Sequence, residues 1–343
     1  MMPDNKIAEG VKELISAPIK IDLRIPQARS SYIDERLAWF KQLYLTASDW
    51  PLDGSKLVQK MKGREHIPFD YAFAQLSDER EVMTCHEKQR FLMQINASKI
   101  KKPFVINQHR YLNFSIAIEI GHIVLGHIPI TKTPPAGLDQ IRAQGFEASE
   151  FARRLLMPKE LVFTCNYFSL EQVASYLHVP EKTLLERLTG LNRLHILERK
   201  PVPACPRCGN TSVHRHYPYC GICGKYHAGI LKGIRKVTYG PKIPQDRYKR
   251  ADRCPICDTD LQKVPGDACP LCRLCIFNDC SSYYEGDPCG HINPGNHRYC
   301  EVCGKPTYYF VKKVLRAWDE SCELVPQNGE YADTYSSSPS VTP

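Results

Sequence analysis

The residues of this chain best suited to chemistry are its thiols. Cys-x-x-Cys pairs occur at Cys205/Cys208, Cys220/Cys223, Cys254/Cys257, Cys269/Cys272 and Cys300/Cys303. In each, the residues after the first thiolate turn tightly, so that backbone amides can hydrogen-bond to sulfur. Two such knuckles facing each other supply four thiolates in a closed tetrahedron, the arrangement of a structural zinc. The interval joining the first two pairs is identical to that joining the next two, which reads as a repeated ribbon. A third ribbon ends in Cys300-Glu301-Val302-Cys303, with Cys280 and Cys289 as its other half. That choice leaves Cys275 spare, and His291 in place of Cys280 is the alternative. Such ribbons carry too few apolar residues to fold without metal, and zinc contributes about 10–16 kcal/mol apparent per site.

A second constellation lies upstream. Ile118-Glu119-Ile120-Gly121-His122 keeps the Glu and the second His of His-Glu-x-x-His. In that motif two imidazoles one helical turn apart hold zinc, and the Glu acts as general base on the metal-bound water. Isoleucine stands where the first imidazole belongs. Glu147, at the head of Glu147-Ala148-Ser149-Glu150-Phe151-Ala152-Arg153-Arg154-Leu155-Leu156-Met157-Pro158, offers a carboxylate from another helix. The run Phe114-Ser115-Ile116-Ala117-Ile118-Glu119-Ile120-Gly121-His122 resembles the Phe-Thr-Leu-Ala-His-Glu-Leu-Gly-His signature of the ImmA/IrrE metallopeptidase family. The later block resembles that family's Glu-Ala-Asn and Phe-Ala-x-x-Leu-Leu-Met-Pro. Over roughly residues 30 to 195, the resemblance implies a zincin-like α+β domain with Glu119 as catalytic base and His122 and Glu147 as zinc ligands. It also implies a protein partner, a transcriptional repressor that such peptidases cut, often in genes carried on mobile elements or prophages.

Ile118 cannot coordinate a metal. With two protein ligands in place of three, affinity falls, and without metal the water that Glu119 must deprotonate keeps its high pKa. The residues therefore predict a degenerate, non-catalytic site in a regulatory or binding protein. One alternative is an active zinc endopeptidase rescued by another donor such as His109 or His66, and a second is a zinc-ribbon DNA-binding regulator using the helical pair and a basic stretch. A Glu-x-x-His pair also serves di-iron bundles, but those need two copies and one is present. As a bland buried pair, Glu119 and His122 would only specify the fold. His127, five residues past His122 and off its helical face, is not paired with it. His86, His178 and His195 are read as exposed or satisfied in the core.

These residues need a mixed scaffold to hold them. Apolar residues at helical spacing predict an amphipathic helix over Ile33 to Leu45 (Leu37, Phe40, Leu43, Tyr44), and Glu81–Cys85 and Phe91–Ile95 read as paired strands. Leu112 to His127 is a mostly buried helix, in which Gly121 and Gly126 permit close approach of a neighbouring backbone. Glu147 to Met157 is another helix, stopped by Pro158. Leu170–Leu177 and Lys182–Leu188 resemble a helix-turn-helix, with Ala174 at the crossing and Val179 at the turn. On its second helix, Lys182 and Arg187 are balanced by Glu181 and Glu186, which favours packing or partner docking over sequence-specific DNA reading.

The resulting division is a lead segment 1–30, a peptidase-like domain 31–167, the helical pair 168–199 and ribbon one at 204–227. A basic linker 228–252, ribbon two at 253–274, ribbon three at 275–312 and a disordered tail 325–343 follow. The proline-rich step Lys200-Pro201-Val202-Pro203-Ala204 marks the change in composition near residue 203.

With 343 residues, 43% of them hydrophobic and 24% charged, the chain holds more than one small domain and wholesale disorder is excluded. A charged N-terminus without an apolar core predicts no secretory signal. Phe114 to Ile130, interrupted by Glu119, His122 and His127, predicts no membrane span. The 16 cysteines in such a chain point to a cytoplasmic, metal-binding protein rather than disulfides. A net charge of +9 permits an acidic partner without requiring one. Lys232, Arg235, Lys236, Lys242, Arg247, Lys249 and Arg250, interleaved with Tyr239 and Tyr248, could track a nucleic-acid backbone, against a solvated linker.

Overall fold

The computed structural model of the protein describes residues 25–100, 106–128, 137–241, 243–282, 286 and 289–320. The N-terminal lead up to residue 24, Lys242 and the expected tail lie outside the described residues, as does the side chain of His109. Packing divides the chain into two compact units after Leu156, upstream of the composition step near residue 203. The helical pair thus lies in the second unit with the ribbons.

In the first unit, α1 spans Gln27–Tyr44 and begins directly after Pro26, whose fixed φ suits a helix entry. It is longer than its apolar spacing predicts, because Gln27 to Ser31 carry little hydrophobic signal. Its buried stripe is Ile33, Leu37, Phe40 and Tyr44. Next come α2 at Gly54–Met61, β1 at Phe69–Ala74, β2 at Val82–Glu87 and β3 at Arg90–Asn96. The hairpin β2–β3 is the expected antiparallel pair, and β1 adds parallel to β3 to give the order β1-β3-β2. Spacing does not reveal β1, since a parallel partner comes from outside the hairpin and leaves no turn signal. After the short α3 (Ala97–Ile100), α4 runs Ile106–Val124 and α5 runs Leu138–Leu156. Phe40 of α1 meets Phe151 of α5 edge-on, with centroids 6.1 Å apart, and both are fully buried with Ile120 and Leu155. Burying each such side chain stabilises by about 1.5–3 kcal/mol, which is what holds these helices together.

The second unit opens with α6 (Lys159–Thr164), α7 (Leu170–Tyr176) and α8 (Glu181–Gly190). Ser169 caps α7 by accepting from the Gln172 amide. Ala174 and Val179 are fully buried, and the Val179 amide donates to the Ala174 carbonyl at 3.0 Å, so the turn closes where expected. The rest is ribbon. Every Cys-x-x-Cys knuckle is built alike: the residue after the second cysteine has positive φ, and its amide returns to the first cysteine's carbonyl. That residue is Gly209, Gly224 and Gly304 in the outer ribbons, but Asp258 and Arg273 in the middle one. The outer ribbons also grip each other reciprocally. The Tyr219 amide donates to the Glu301 carbonyl (3.2 Å) and the Tyr299 amide to the Gly221 carbonyl (2.9 Å). Each tyrosine ring lies on the glycine of the opposite knuckle, where a Cβ at Gly224 or Gly304 would collide with it. Buried Arg298 donates to the carbonyls of Arg316, Asn296 and Gly240, so its charge is fully engaged. No described helix is long and apolar enough to cross a membrane.

Candidate functional site

Helix α4 supplies the first part of the upstream site. Gly121 allows α5 to approach closely, since a Cβ there would lie 2.9 Å from the Ala148 carbonyl oxygen. The helix then stops on Gly126, which takes the left-handed conformation at φ +74°. The Gly126 amide donates to the Ile123 carbonyl and the His127 amide to the His122 carbonyl at 2.9 Å. This is a Schellman motif, whose second post-helical residue packs back on the last turn. It corrects the expectation that His127 and His122 are unpaired: their Nδ1 atoms are 3.2 Å apart and their rings meet edge to face. Helical-wheel reasoning fails because His127 lies beyond the helix. The signal available in the sequence was Gly126 itself, a stop that turns the following residue back.

Helix α5 brings Glu147 to the same place. Its Oε2 is 3.1 Å from His127 Nε2. Arg29 of α1 covers the other side, with Nε donating to Oε1 at 2.7 Å and Nη2 to Oε2. The guanidinium holds the Glu147 carboxyl below the usual carboxylate range, against the upward push of burial. Burial lowers His122 to about 4, and a neighbouring imidazole adds to it, so the ring is neutral at pH 7. His127 is lowered too, chiefly by burial, with Glu147 opposing.

Glu119 points elsewhere. Burial raises its pKa, and its contacts with Thr84 of β2 only partly offset this. Exposed His66 stays on the loop after α2. Arg153 and Arg154, from the Phe-Ala-Arg-Arg block, are clamps: both hold Glu150, at 3.0 and 2.7 Å, and Arg154 also reaches Asp34 of α1 at 2.7 Å.

A three-ligand catalytic zinc needs donors that converge on one point. His127 instead presents Nδ1 to His122 and Nε2 to Glu147, on different edges of its ring. Among the described residues, the groups whose donor atoms lie within 4.8 Å of one another are the three thiolate sets, and the His122–His127–Glu147 chain is not among them.

The thiolate sets are Cys205/Cys208/Cys220/Cys223, Cys254/Cys257/Cys269/Cys272 and Cys280/Cys289/Cys300/Cys303. A tetrahedral zinc with Zn–S near 2.3 Å puts sulfurs about 3.8 Å apart. The nearest sulfur pairs run from 3.3 Å (Cys280–Cys303) to 3.8 Å (Cys289–Cys300), and the four sulfurs of each set all lie within 4.8 Å of one another, so all three sets fit zinc ribbons. His291 faces away from these sulfurs: its Nε2 is 3.0 Å from Glu301, a buried carboxylate that His214 also meets at 3.1 Å. Spare Cys275 lies against Asp279.

The basic stretch is partly structural. Tyr239 is not a stacking platform but a buried core ring, whose hydroxyl donates to the Cys208 carbonyl at 2.7 Å. Lys249 donates to the Ile292 carbonyl and Arg250 to the Val264 carbonyl, while Arg247 lies over the exposed Tyr248 ring. Lys232 is exposed, and Arg235 and Lys236 are half-buried. In the helical pair, Arg187 turns inward to the Met157 carbonyl, leaving exposed Lys182 as the one free base on α8 among the described residues.

A mixed α+β unit, a helical pair and three four-thiolate sets that fit zinc follow one another along the chain. Part of this order matches a known family. Residues 108–189 match a peptidase-family model described as IrrE N-terminal-like domain, a span that contains Glu119, His122 and Glu147. No curated protein matches the chain.

Proposed function

We propose that this chain is a non-hydrolytic relative of the ImmA/IrrE peptidases, acting as a regulatory binding protein in a bacterial or mobile-element gene switch. The observation that carries this reading is the Arg29–Glu147 pair. Both oxygens of the carboxylate that would serve as third zinc ligand accept from a guanidinium, a cation fixed where a second cation would have to sit. Ile118 adds no donor on the other side. The peptidase-like groove then holds a protein partner, expected to be a transcriptional repressor, without cutting it, and the ribbons supply further contacts.

An active zinc endopeptidase is the competing reading. The contact of His127 with both His122 and Glu147 favours it, because a rotated His127 ring could replace the missing imidazole. Metal analysis of the purified full chain separates the two. The proposal expects three tightly held zincs, one for each thiolate set. The double substitution Arg29→Ala with Ile118→His should add a fourth. Four zincs in the natural chain, with peptide hydrolysis abolished by Glu119→Gln, would sink it.

A further inference from the structure

Within the second unit, the segment between α6 and α7 is stitched to the start of the ribbons. The Asn166 side chain donates to the Val202 and Gly233 carbonyls (2.8 and 3.0 Å) and accepts from the Val202 amide (3.1 Å). The Lys236 amide donates to the Thr164 carbonyl at 2.8 Å. These bonds frame a cleft of about 170 Å³. Buried Tyr167, Ile196 and Cys165 form its floor. Its rim is cationic: Arg199, Lys200 and Lys236 line it, and no carboxylate does. Nearby Arg193 sits over the Phe163 ring, 5.8 Å from its centroid. Glu198, the adjoining acid, is exposed outside the lining. Burial pushes the Cys165 thiol up to about 12, so the floor adds no negative charge.

A concavity with one sign of charge on its rim selects an anion. The volume limits what enters. Pockets for whole small molecules run from about 300 Å³ upward, so this one admits a group rather than a nucleotide. Further cations come close to it in the fold: Arg193 stands over the lining Phe163 ring, Arg235 bridges the lining Cys165 through the backbone, and exposed Lys232 bridges Ala204, as a longer polyanion requires. We propose that the cleft seats a backbone phosphate of a nucleic-acid strand, with Lys200 and Lys236 as its principal contacts. The site is separate from the peptidase-like groove and stands whether or not that groove is catalytic. It also reshapes the sequence-derived set, keeping Lys232, Arg235 and Lys236, adding Lys200 and Arg199, and dropping Lys249 and Arg250.

The test is fluorescence anisotropy of labelled single-stranded and duplex DNA with the zinc-loaded full chain, over about 50 to 200 mM salt. Binding should weaken steeply with salt. Lys200→Ala with Lys236→Ala should lower affinity about tenfold or more at low salt and flatten the log–log slope by about 0.7, one phosphate's worth on a single strand. Exposed Lys312 and Lys313, replaced together by Ala, remove the same charge elsewhere and should have a much smaller effect. Zinc content and melting temperature check that the variants fold. Should the double variant lose zinc, Lys200→Glu at an exposed side chain provides the same reading. The proposal is overturned if neither DNA binds, if the two lysine pairs matter equally, or if inorganic phosphate is bound while DNA is not.

Discussion

His122, His127 and Glu147 at the peptidase-like site share one fate: each is desolvated, and each answers by losing charge or finding a partner. His122 loses charge, and Glu147 keeps it by accepting from Arg29. The consequence for pH has a definite sign. The folded value for His122, about 4, lies below its ordinary 6.5, so between those limits the unfolded chain takes up a proton that the native chain refuses. Stability should hold above pH 6.5 and fall as pH drops toward 4. The Glu147–Arg29 pair acts in the same direction: its contribution is complete above the ordinary carboxylate value of 4.5 and is lost at lower pH. NMR titration of the His122 ring should give a midpoint near 4, and urea unfolding should move to lower denaturant between pH 7 and pH 5. A midpoint near 6.5 would show that the ring is solvated and the cluster open.

Gly121 within α4 and Gly126 just past its end illustrate how elements carry the site. At Gly121 the constraint is contact, since an added Cβ meets the Ala148 backbone of α5. At Gly126 nothing lies within 4 Å of an added Cβ, and the constraint is the positive φ that ends the helix. Gly121→Ala should therefore cost about 1–3 kcal/mol as overpacking. Gly126→Ala should cost about 1 kcal/mol as backbone strain, while loosening the His127–His122 contact. Chemical denaturation measures both costs, and the His122 resonance reports the second. Equal costs without any change at His122 would mean that the motif does not position His127.

For the whole molecule, the contrast is between a unit with its own apolar core and one whose ribbons depend on metal. Stripping zinc should make the ribbon half protease-sensitive while far-UV circular dichroism retains the α1–α5 helices, because Phe40, Ile120, Phe151 and Leu155 remain buried without metal. Zinc should leave in order. All four thiolates of ribbon one are buried, whereas Cys272 of ribbon two is exposed and Cys257 half-buried. Ribbon two also bears Asp258 and Arg273 at the positive-φ positions that glycine takes elsewhere. Limited chelation followed by alkylation and mass spectrometry should label Cys257 and Cys272 first, and Cys205, Cys208, Cys220 and Cys223 last. Uniform labelling would refute the ordering.

The sequence alone determined what is local. Thiolate pairs, the apolar stripes of α1, α4 and α5, the β2–β3 hairpin and the helical pair all follow from spacing over a few residues, because knuckle, helix and turn geometry repeat at short range. The Glu119–His122 pair and the Leu-Leu-Met-Pro block were equally legible. Tertiary structure decided who meets whom across long separations. It set Arg29 on Glu147, 118 residues away, and turned His127 back on His122. It also put Tyr239 in the core and Lys236 beside Lys200 on one cleft. No periodicity encodes such meetings, since they depend on how whole elements pack.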